Sequence, residues 1–290
     1  MTIWECSLSV KSIITWDVPT LTLKNRPKGS KKMIVTIANQ KGGCGKTTTA
    51  TALSSILADK GYKTLLIDAD QQTNSSDTYK AKIEGVATLY DLIVEDEETT
   101  LQEAIQTTET GHIIAGDPLL READTKLSKD LNGRFKLQEA LECNNDYDFI
   151  IIDTAPSMGE VLYNCLIASD FVIIPVTADR YSLQGLAQLN ETIKGIKKRF
   201  NDRLRIAGLL LVKFNSRTLL SKETREALEH IAQEMDTKLF KTAIRASTKA
   251  QEAQAKRTTL IKYAPNSTTA QDYKQFIDEL LKEILNNGKE

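Results

Sequence analysis

Short apolar runs that alternate with helical periodicity organise this chain. The runs lie at residues 33–38, 63–68, 149–153, 171–176, 206–212 and 240–244. They are apolar at most positions, which is typical of parallel strands buried on both faces. Helical spacing of apolar residues predicts helices at residues 47–60, 183–200, 218–235 and 269–287. Strands alternating with helices predict an α/β fold, a mostly parallel twisted sheet with helices on both faces.

Two stretches lie outside this alternation. Residues 72–109 are polar and rich in Thr, Asp and Glu, and we expect mobile switch and insert loops there. Residues 1–32 end in a basic Pro/Gly stretch, which is typical of a linker. We therefore predict an N-terminal arm with a basic linker at 1–32 and one α/β domain at 33–290. The arm could be partly ordered, or it could clasp a second subunit or touch DNA.

The most informative motif follows the first predicted strand and opens a predicted helix. It reads Lys41-Gly42-Gly43-Cys44-Gly45-Lys46-Thr47-Thr48. Glycines permit a tight turn in which backbone N–H groups converge on phosphate oxygens at a helix N-terminus. Lys46 supplies a positive charge to the β- and γ-phosphates, and the Thr47 hydroxyl can ligate Mg²⁺. The motif therefore predicts binding of a nucleoside triphosphate.

Carboxylates stand at the ends of two predicted strands. Asp68 and Asp70 close the second strand, and Asp153 closes the third. Ligands bind at the carboxyl ends of strands in open α/β sheets. A carboxylate such as Asp153 at that edge would hold Mg²⁺ directly or through water. Each of the three could alternatively cap a helix.

Together these motifs resemble the ParA/Soj partition ATPases of the MinD/ParA superfamily, in particular the plasmid type. The deviant Walker A loop of this family reads K-G-G-x-G-K-T-T, which matches residues 41–48. The match continues in order through residues 65–70, 149–156, 172–186 and 209–218, and covers about residues 33–286. The resemblance implies a deviant P-loop NTPase fold at 33–290. It also implies ATP and Mg²⁺ as cofactors and hydrolysis of ATP to ADP and phosphate.

The resemblance also implies roles for individual residues. In this family the first lysine of the loop, here Lys41, reaches across a dimer interface to the partner's nucleotide; a solvated loop lysine is the alternative. The second aspartate of the D-x-D motif, here Asp70, positions the attacking water, and the first, Asp68, acts near the metal. The predicted catalytic residues are thus Lys41, Lys46, Asp70 and Asp153. The predicted metal-binding residues are Thr47, Asp68 and Asp153. The predicted nucleotide-binding residues are Gly42, Gly43, Cys44, Gly45, Lys46, Thr47, Thr48 and Asn215.

Two positions depart from the family pattern. Gln71-Gln72 stands where a proline usually follows the D-x-D motif, and Ala155-Pro156 stands where many members have Pro-Pro. Both lie in nucleotide-sensing loops. They therefore bear on hydrolysis rate and switch geometry more than on nucleotide binding.

Charge is unevenly distributed, although the formal net charge is only −1. Residues 90–160 contain 17 acidic and 5 basic residues, whereas residues 203–262 contain 13 basic and 6 acidic residues. A fold that gathers the second region on one face would present a positive surface to phosphate backbones. ParA-like dimers bind DNA without sequence preference through basic residues of their C-terminal half. The candidate DNA contacts are Arg245, Lys249, Lys197 and Lys198, the last two at a helix C-terminus, where cations also stabilise the helix itself.

The remaining expectations concern partners and location. The resemblance implies that the protein forms a nucleotide-sandwich homodimer and binds non-specific DNA. It also implies a ParB-like centromere-binding adaptor as a partner that stimulates slow hydrolysis. The protein is expected to be cytoplasmic and to join the nucleoid when ATP-bound. A MinD-like membrane-cycling ATPase is the main alternative, and it would need a C-terminal amphipathic helix with a basic polar face. The polar face of the helix at 269–287 carries acidic as well as basic side chains, so we expect its apolar face to pack on the core. A third alternative also stays open, in which the protein is a binding switch and its ATP turnover is incidental.

Composition agrees with this class. The chain has 290 residues, of which 41% are hydrophobic and 27% charged, enough for one large α/β core. No apolar window approaches the ~18 residues of a membrane span, so we expect no segment to cross a membrane. We also expect no membrane among the partners. Four cysteines lie scattered, without the spacing of a zinc site or a disulfide framework.

Overall fold

A mostly parallel sheet of seven strands forms the centre of the computed structural model, which describes residues 32–94, 99–142, 146–215 and 219–286. The spatial order is β3-β4-β2-β5-β1-β6-β7, and only the edge pair β3–β4 is antiparallel. The strands are β1 (Met33–Ile37), β2 (Thr64–Ala69), β3 (Ile105–Thr108), β4 (Gly111–Ile114), β5 (Phe149–Thr154), β6 (Phe171–Thr177) and β7 (Arg205–Val212). The predicted fold class is confirmed, while the predicted arm lies outside the described residues except for Lys32.

Helices cover both faces of this sheet. In the described ranges they are α1 (Lys46–Asp59), α2 (Asn74–Tyr79), α3 (Leu89–Val94), α4 (Leu101–Ala104), α5 (Leu120–Leu127), α6 (Lys136–Glu142), α7 (Glu160–Ala168), α8 (Arg180–Arg199), α9 (Leu219–Glu234), α10 (Thr248–Ala255), α11 (Leu260–Tyr263) and α12 (Thr268–Asn286). Helix α1 packs with α11 and α12, whereas α7 packs with α5, α6 and α8. The four predicted helices correspond to α1, α8, α9 and α12. Helices α2 to α7, α10 and α11 and the β3–β4 hairpin were not predicted.

The central strands are buried as the apolar runs predict. Every residue of β5 is buried, and Ile150, Ile151 and Ile152 have no exposed surface. Burying each such side chain stabilises the fold by about 1.5–3 kcal/mol relative to exposure. The buried strands therefore hold the residues at the carboxyl edge of the sheet in place through their packing.

The predicted strand at residues 240–244 is wrong. Isolated bridges at Leu239 and Arg245, and backbone hydrogen bonds that Phe240 and Ile244 donate to β7, join this segment to its neighbour without a continuous ladder. Between them, Glu279 of α12 accepts hydrogen bonds from the backbone N–H groups of Lys241 (2.8 Å) and Thr242 (3.1 Å). A side-chain carboxylate from a distant helix thus binds the backbone N–H groups between these contacts with β7, which an apolar run cannot reveal.

Residues 72–109, where switch and insert loops were predicted, contain more regular structure than that prediction indicated. Helices α2, α3 and α4 and strand β3 occupy much of this segment, although residues 95–98 lie outside the description. Tyr79, Leu89 and Tyr90 are at most 2% exposed. The segment looks polar in sequence because several of its buried side chains are hydroxyls that have hydrogen-bond partners.

The last helix packs on the core, as predicted. Phe276, Ile277, Leu280 and Ile284 of α12 are each at most 1% exposed. An apolar face already buried in the protein is not available to insert into a lipid surface. Within the described ranges, no helix combines the length and the hydrophobicity needed to cross a membrane.

Candidate nucleotide and metal site

The loop between β1 and α1 has the backbone conformation of a phosphate-binding loop. Gly43 (φ 69°) and Gly45 (φ 85°) are both left-handed, a conformation that a side chain would strain. Gly45 is also the N-cap of α1, and no side chain caps the first N–H groups of this helix. Uncapped N–H groups and the positive end of the helix dipole favour an anion at this point.

Two lysines fasten the loop. Lys46 is 7% exposed, and its Nζ donates to the carbonyl of Lys41 at 3.1 Å. Lys213, at the end of β7, adopts φ 53° and donates from Nζ to the carbonyl of Gly43 at 2.8 Å. Lys46 was predicted, whereas Lys213 was missed because nothing in the sequence indicates that β7 ends against this loop.

The loop lines a cavity of about 740 Å³ at the carboxyl edge of the sheet. Asp70 and Gln72 contribute to the wall from the β2–α2 connection, and Pro156 does so from the end of β5. The rest of the wall includes Gly42, Gly43, Gly45, Lys46, Thr47, Thr48, Lys213, Arg245, Ser247, Thr248, Gln251 and Tyr273. The cavity therefore joins the loop to both predicted nucleotide-sensing segments. Cys44 is buried beneath the loop as a free thiol.

Asp68 and Asp153 form a buried pair of carboxylates beside the loop. They occupy directly paired positions of β2 and β5, and neither has exposed surface. Burial raises the pKa of Asp153 to about 7, and the charge of Asp68 adds to the effect; the hydrogen bond from Ser75 and the nearby Thr47 hydroxyl oppose it. Burial likewise raises the pKa of Asp68 to about 6, against the hydrogen bonds from Ser76. Two carboxylates held so close together favour a cation beside them.

The residues at this edge fit a magnesium ion. Asp153 Oδ1 is buried and accepts no hydrogen bond from any described residue, and unpaired buried oxygens are rare in folded proteins. The Thr47 hydroxyl also belongs to the environment of Asp153. No group of three or more His, Cys, Asp or Glu ligands occurs among the described residues. Mg²⁺ usually takes one or two carboxylates together with substrate phosphates and water.

Asp70 has a different environment from the buried pair. It lines the cavity and is 6% exposed. Its Oδ1 accepts a hydrogen bond from the backbone N–H of Gln72 at 2.9 Å, so the turn fixes the carboxylate. This placement is compatible with the predicted role of orienting a water at the phosphates.

Three further residues of the site carry no recognisable sequence motif. Ser75 and Ser76 of α2 donate hydrogen bonds to Asp153 and Asp68. Gly116, after β4, donates its N–H to Ser76 Oγ at 2.9 Å, and a Cβ there would lie 2.9 Å from the Asp68 carbonyl oxygen. A serine beside a D-x-D motif is too common to single out, so only the fold identifies them.

Lys41 lies on the other side of the loop. Its Nζ is 2.5 Å from Asp179 Oδ2 and 3.3 Å from Thr177 Oγ1, and the ion pair is about two-thirds buried. Lys41 does not line the cavity described above, unlike Gly42 and Gly43. Within one chain, therefore, the signature lysine contacts the end of β6. Asn215 is exposed and also lies outside that lining.

The candidate DNA contacts occupy two separate places. Arg245 and Lys249 lie near the nucleotide cavity, Arg245 in its wall and Lys249 on the neighbouring helix α10. Lys197 and Lys198 lie at the far end of α8; Lys197 lines a second cavity with Phe171, at the start of β6. The structure therefore does not join the four residues into one surface.

The two residues near the cavity have different contacts. Arg245 forms a bidentate ion pair with Asp272, whose side chain is 8% exposed; the closest contact is 2.6 Å. Lys249 pairs with Glu252 at 2.7 Å on the exposed face of α10. Arg245 is thus part of the packing between α12 and the segment before α10, whereas Lys249 is presented to solvent.

A glycine-rich loop between β1 and α1, with carboxylates at the same sheet edge, defines a P-loop nucleoside-triphosphate-binding protein. A family model described as an AAA domain matches residues 32–206. The chain is 36% identical over 259 residues to the sporulation initiation inhibitor protein Soj of Bacillus subtilis, a match that spans 88% of this chain and 99% of that one. It is 32% identical over 252 residues to the chromosome-partitioning ATPase Soj of Thermus thermophilus, spanning 86% and 96%. The chain belongs to the ParA/Soj family of partition ATPases.

Solved structures agree with this assignment. A putative plasmid partition protein from Borrelia burgdorferi bound to AMPPNP superposes with a TM-score of 0.72 at 27% identity, covering 88% of this chain and all of that one. Cobyrinic acid a,c-diamide synthase from Mycobacterium smegmatis, with bound ADP and magnesium, gives a TM-score of 0.75 at 25% identity, covering 89% and 97%. The fold is thus shared by enzymes of different function, and the partition relatives indicate the function here.

Proposed function

We propose that this protein binds Mg²⁺–ATP, pairs as a nucleotide-sandwich homodimer, binds DNA non-specifically in that state and hydrolyses ATP slowly. The observation that carries the proposal is the convergence of the loop, Thr47, Asp153 and Asp70 on one edge of the sheet. The partition relatives support the same interpretation. We further propose that a ParB-like adaptor stimulates hydrolysis. The protein itself is proposed to be cytoplasmic and to join the nucleoid when ATP-bound.

The site residues divide the work of phosphoryl transfer. Lys46 and the N–H groups of the loop bind and orient the β- and γ-phosphates, while Thr47 and Asp153 hold the metal. Magnesium, when bound, neutralises charge that develops on the phosphate oxygens. Asp70 orients the attacking water, and positioning of this kind supplies most of the rate enhancement in phosphoryl transfer.

Lys41 is proposed to act on nucleotide bound to the second subunit. We expect Lys41→Ala to weaken ATP-dependent dimerisation and turnover more than nucleotide binding to the monomer, because Lys41 lies outside the cavity lining. Analytical ultracentrifugation with ATP and a steady-state ATPase assay measure the two effects. Asp179→Asn is the matched control, since it breaks the ion pair of Lys41 but keeps the lysine. If both variants behaved alike, Lys41 would act through Asp179 within one chain.

DNA binding is proposed to use Lys249 and its counterpart on the second subunit. We expect Lys249→Glu to weaken DNA affinity to a similar degree for unrelated duplexes. The slope of log K against log salt should fall by about one for each phosphate that the protein no longer neutralises. Arg245→Glu is a poor probe, because it would break the bidentate ion pair with Asp272 and place a second carboxylate beside it. Titrations of two unrelated duplexes at two salt concentrations measure the effect.

The paired variants Lys197→Glu and Lys198→Glu complete that experiment. They reverse charge at the opposite end of the sheet, so they report whether that surface contacts DNA as well. A marked preference of the wild-type protein for one duplex, or affinity that does not change with salt, would contradict backbone recognition.

One experiment tests the function as a whole. The purified protein is titrated with DNA in the absence of nucleotide and in the presence of ADP, ATP and a non-hydrolysable analogue. We expect binding only with ATP or the analogue, because pairing two subunits joins two weak patches into one bivalent surface. Liposomes replace DNA in a parallel series. ATP-dependent binding to liposomes but not to DNA would select the membrane-cycling alternative.

A further inference from the structure

The first turn of helix α2 faces the two buried carboxylates. Ser75 Oγ donates a hydrogen bond of 2.8 Å to Asp153 Oδ2. Ser76 donates its backbone N–H and its hydroxyl to Asp68 Oδ2, each at 2.7 Å. Both serines are at most 1% exposed. Helix α2, which has no recognisable motif in sequence, is therefore joined by hydrogen bonds to the carboxylates of β2 and β5.

The two oxygens of Asp153 consequently have different environments. Oδ2 accepts the hydrogen bond from Ser75, whereas Oδ1 is buried and has no hydrogen-bond partner among the described residues. Leaving a carboxylate oxygen buried and unpaired costs free energy unless another group satisfies it. The bond from Ser75 also restricts rotation of the carboxylate about its terminal torsion. It thereby determines which oxygen is left for a cation or a cation-bound water.

We infer that Ser75 is a positioning residue for the metal site: it holds Asp153 through Oδ2 so that Oδ1 is presented to Mg²⁺ or to a water of its coordination shell. The inference rests on the Mg²⁺–ATP site of the proposed function and is independent of dimerisation and DNA binding. Ser75 itself contacts neither substrate nor metal in this arrangement. Hydrogen-bonded partners behind a ligating carboxylate commonly tune metal affinity in this way.

The alternative is that the bond only anchors α2 to the sheet. Several helical hydroxyls in this protein, those of Thr51, Ser55 and Thr78, bond to the carbonyl one turn earlier in their own helix. Ser75 instead reaches a carboxylate 78 positions along the chain. An anchor and a positioning residue differ in one measurable respect, since only the second changes the affinity for metal.

Mn²⁺ serves as a spectroscopic probe of this site. Its affinity for the complex with ADP is measured by electron paramagnetic resonance in wild-type protein, Ser75→Thr and Ser75→Val. Threonine and valine have nearly the same volume, so the pair isolates the hydroxyl from the cost of packing. We expect Ser75→Val to bind Mn²⁺ about fivefold to tenfold more weakly than Ser75→Thr, the loss that corresponds to one hydrogen bond. Ser75→Ala, which adds no volume, should show the same loss relative to wild type.

Two further measurements separate the outcomes. The affinity for ADP in EDTA should be unchanged in all variants, and Thr78→Val, which removes another hydroxyl from α2, should leave Mn²⁺ affinity unchanged. Equal Mn²⁺ affinities in Ser75→Thr and Ser75→Val, or a parallel loss of metal-free ADP binding, would overturn the inference in favour of an anchor. Wild-type protein that bound no Mn²⁺ with ADP would instead contradict the proposed metal site itself.

Discussion

Lys46→Ala is expected to abolish ATP binding at concentrations that saturate the wild-type protein. Lys46 is 7% exposed and stands at the start of α1, where its ammonium can reach the phosphates from within the cavity wall. Charge-assisted hydrogen bonds contribute about 1.5–3 kcal/mol each, so loss of two of them weakens binding by a factor on the order of 100 or more. Isothermal titration calorimetry with ATP and Mg²⁺ measures the dissociation constant.

Lys213→Ala is the matched control for this prediction. Lys213 also lines the cavity and also donates to a loop carbonyl, but it approaches from β7 and is exposed. We expect a smaller loss of affinity than for Lys46→Ala. Equal losses in the two variants would mean that general positive charge, and not the placement of Lys46, binds the phosphates. An unchanged dissociation constant in Lys46→Ala would exclude this cavity as the ATP site.

Asp70→Ala is expected to retain ATP binding and to lose turnover by about 10²–10³-fold. The expected loss follows from the role of an oriented water in phosphoryl transfer, where positioning accounts for most of the catalysis. Single-turnover hydrolysis measured by quench isolates the chemical step from product release. Nucleotide affinity is measured in parallel and should change little, because the carboxylate contributes no positive charge to the phosphates.

Asp70→Asn sharpens this experiment. The asparagine carbonyl can still accept the hydrogen bond from the Gln72 N–H, so the turn is maintained while the charge is lost. We expect turnover to fall in Asp70→Asn as well. Wild-type turnover in either variant would contradict the assignment of Asp70, and a loss only in Asp70→Ala would indicate that the turn, not the carboxylate, is needed.

The ion pair between Lys41 and Asp179 bears on how the dimer would form. Lys41 must leave Asp179 and Thr177 in order to reach a second subunit, so their hydrogen bonds oppose the exchange. A partly exposed ion pair contributes little net stability, typically below about 1 kcal/mol. The exchange therefore costs little, and a bound triphosphate in the second subunit would offer Lys41 a more highly charged partner.

The sequence alone determined the parts of this protein that depend on local chemistry. Residues 41–48 predicted the loop because left-handed glycines, a lysine and a threonine in that spacing have few other uses. The runs at residues 33–38 and 149–153 predicted β1 and β5, because a strand covered on both faces must be apolar throughout. Asp153 was singled out because strand ends in such a sheet meet at one edge, whereas the predicted role of Asp68 near the metal came from the family resemblance.

Only the tertiary structure decided which distant groups meet. It paired Arg245 with Asp272, separated Lys197 and Lys198 from Lys249, and brought Glu279 to the backbone N–H groups of Lys241 and Thr242. It also brought Ser75 to Asp153 across 78 positions of the chain. Hydrogen bonds and ion pairs are short-ranged and have no sequence periodicity, so a hydroxyl or a charge looks the same in the chain whether it faces water or a buried carboxylate. Burial and packing assign its partner.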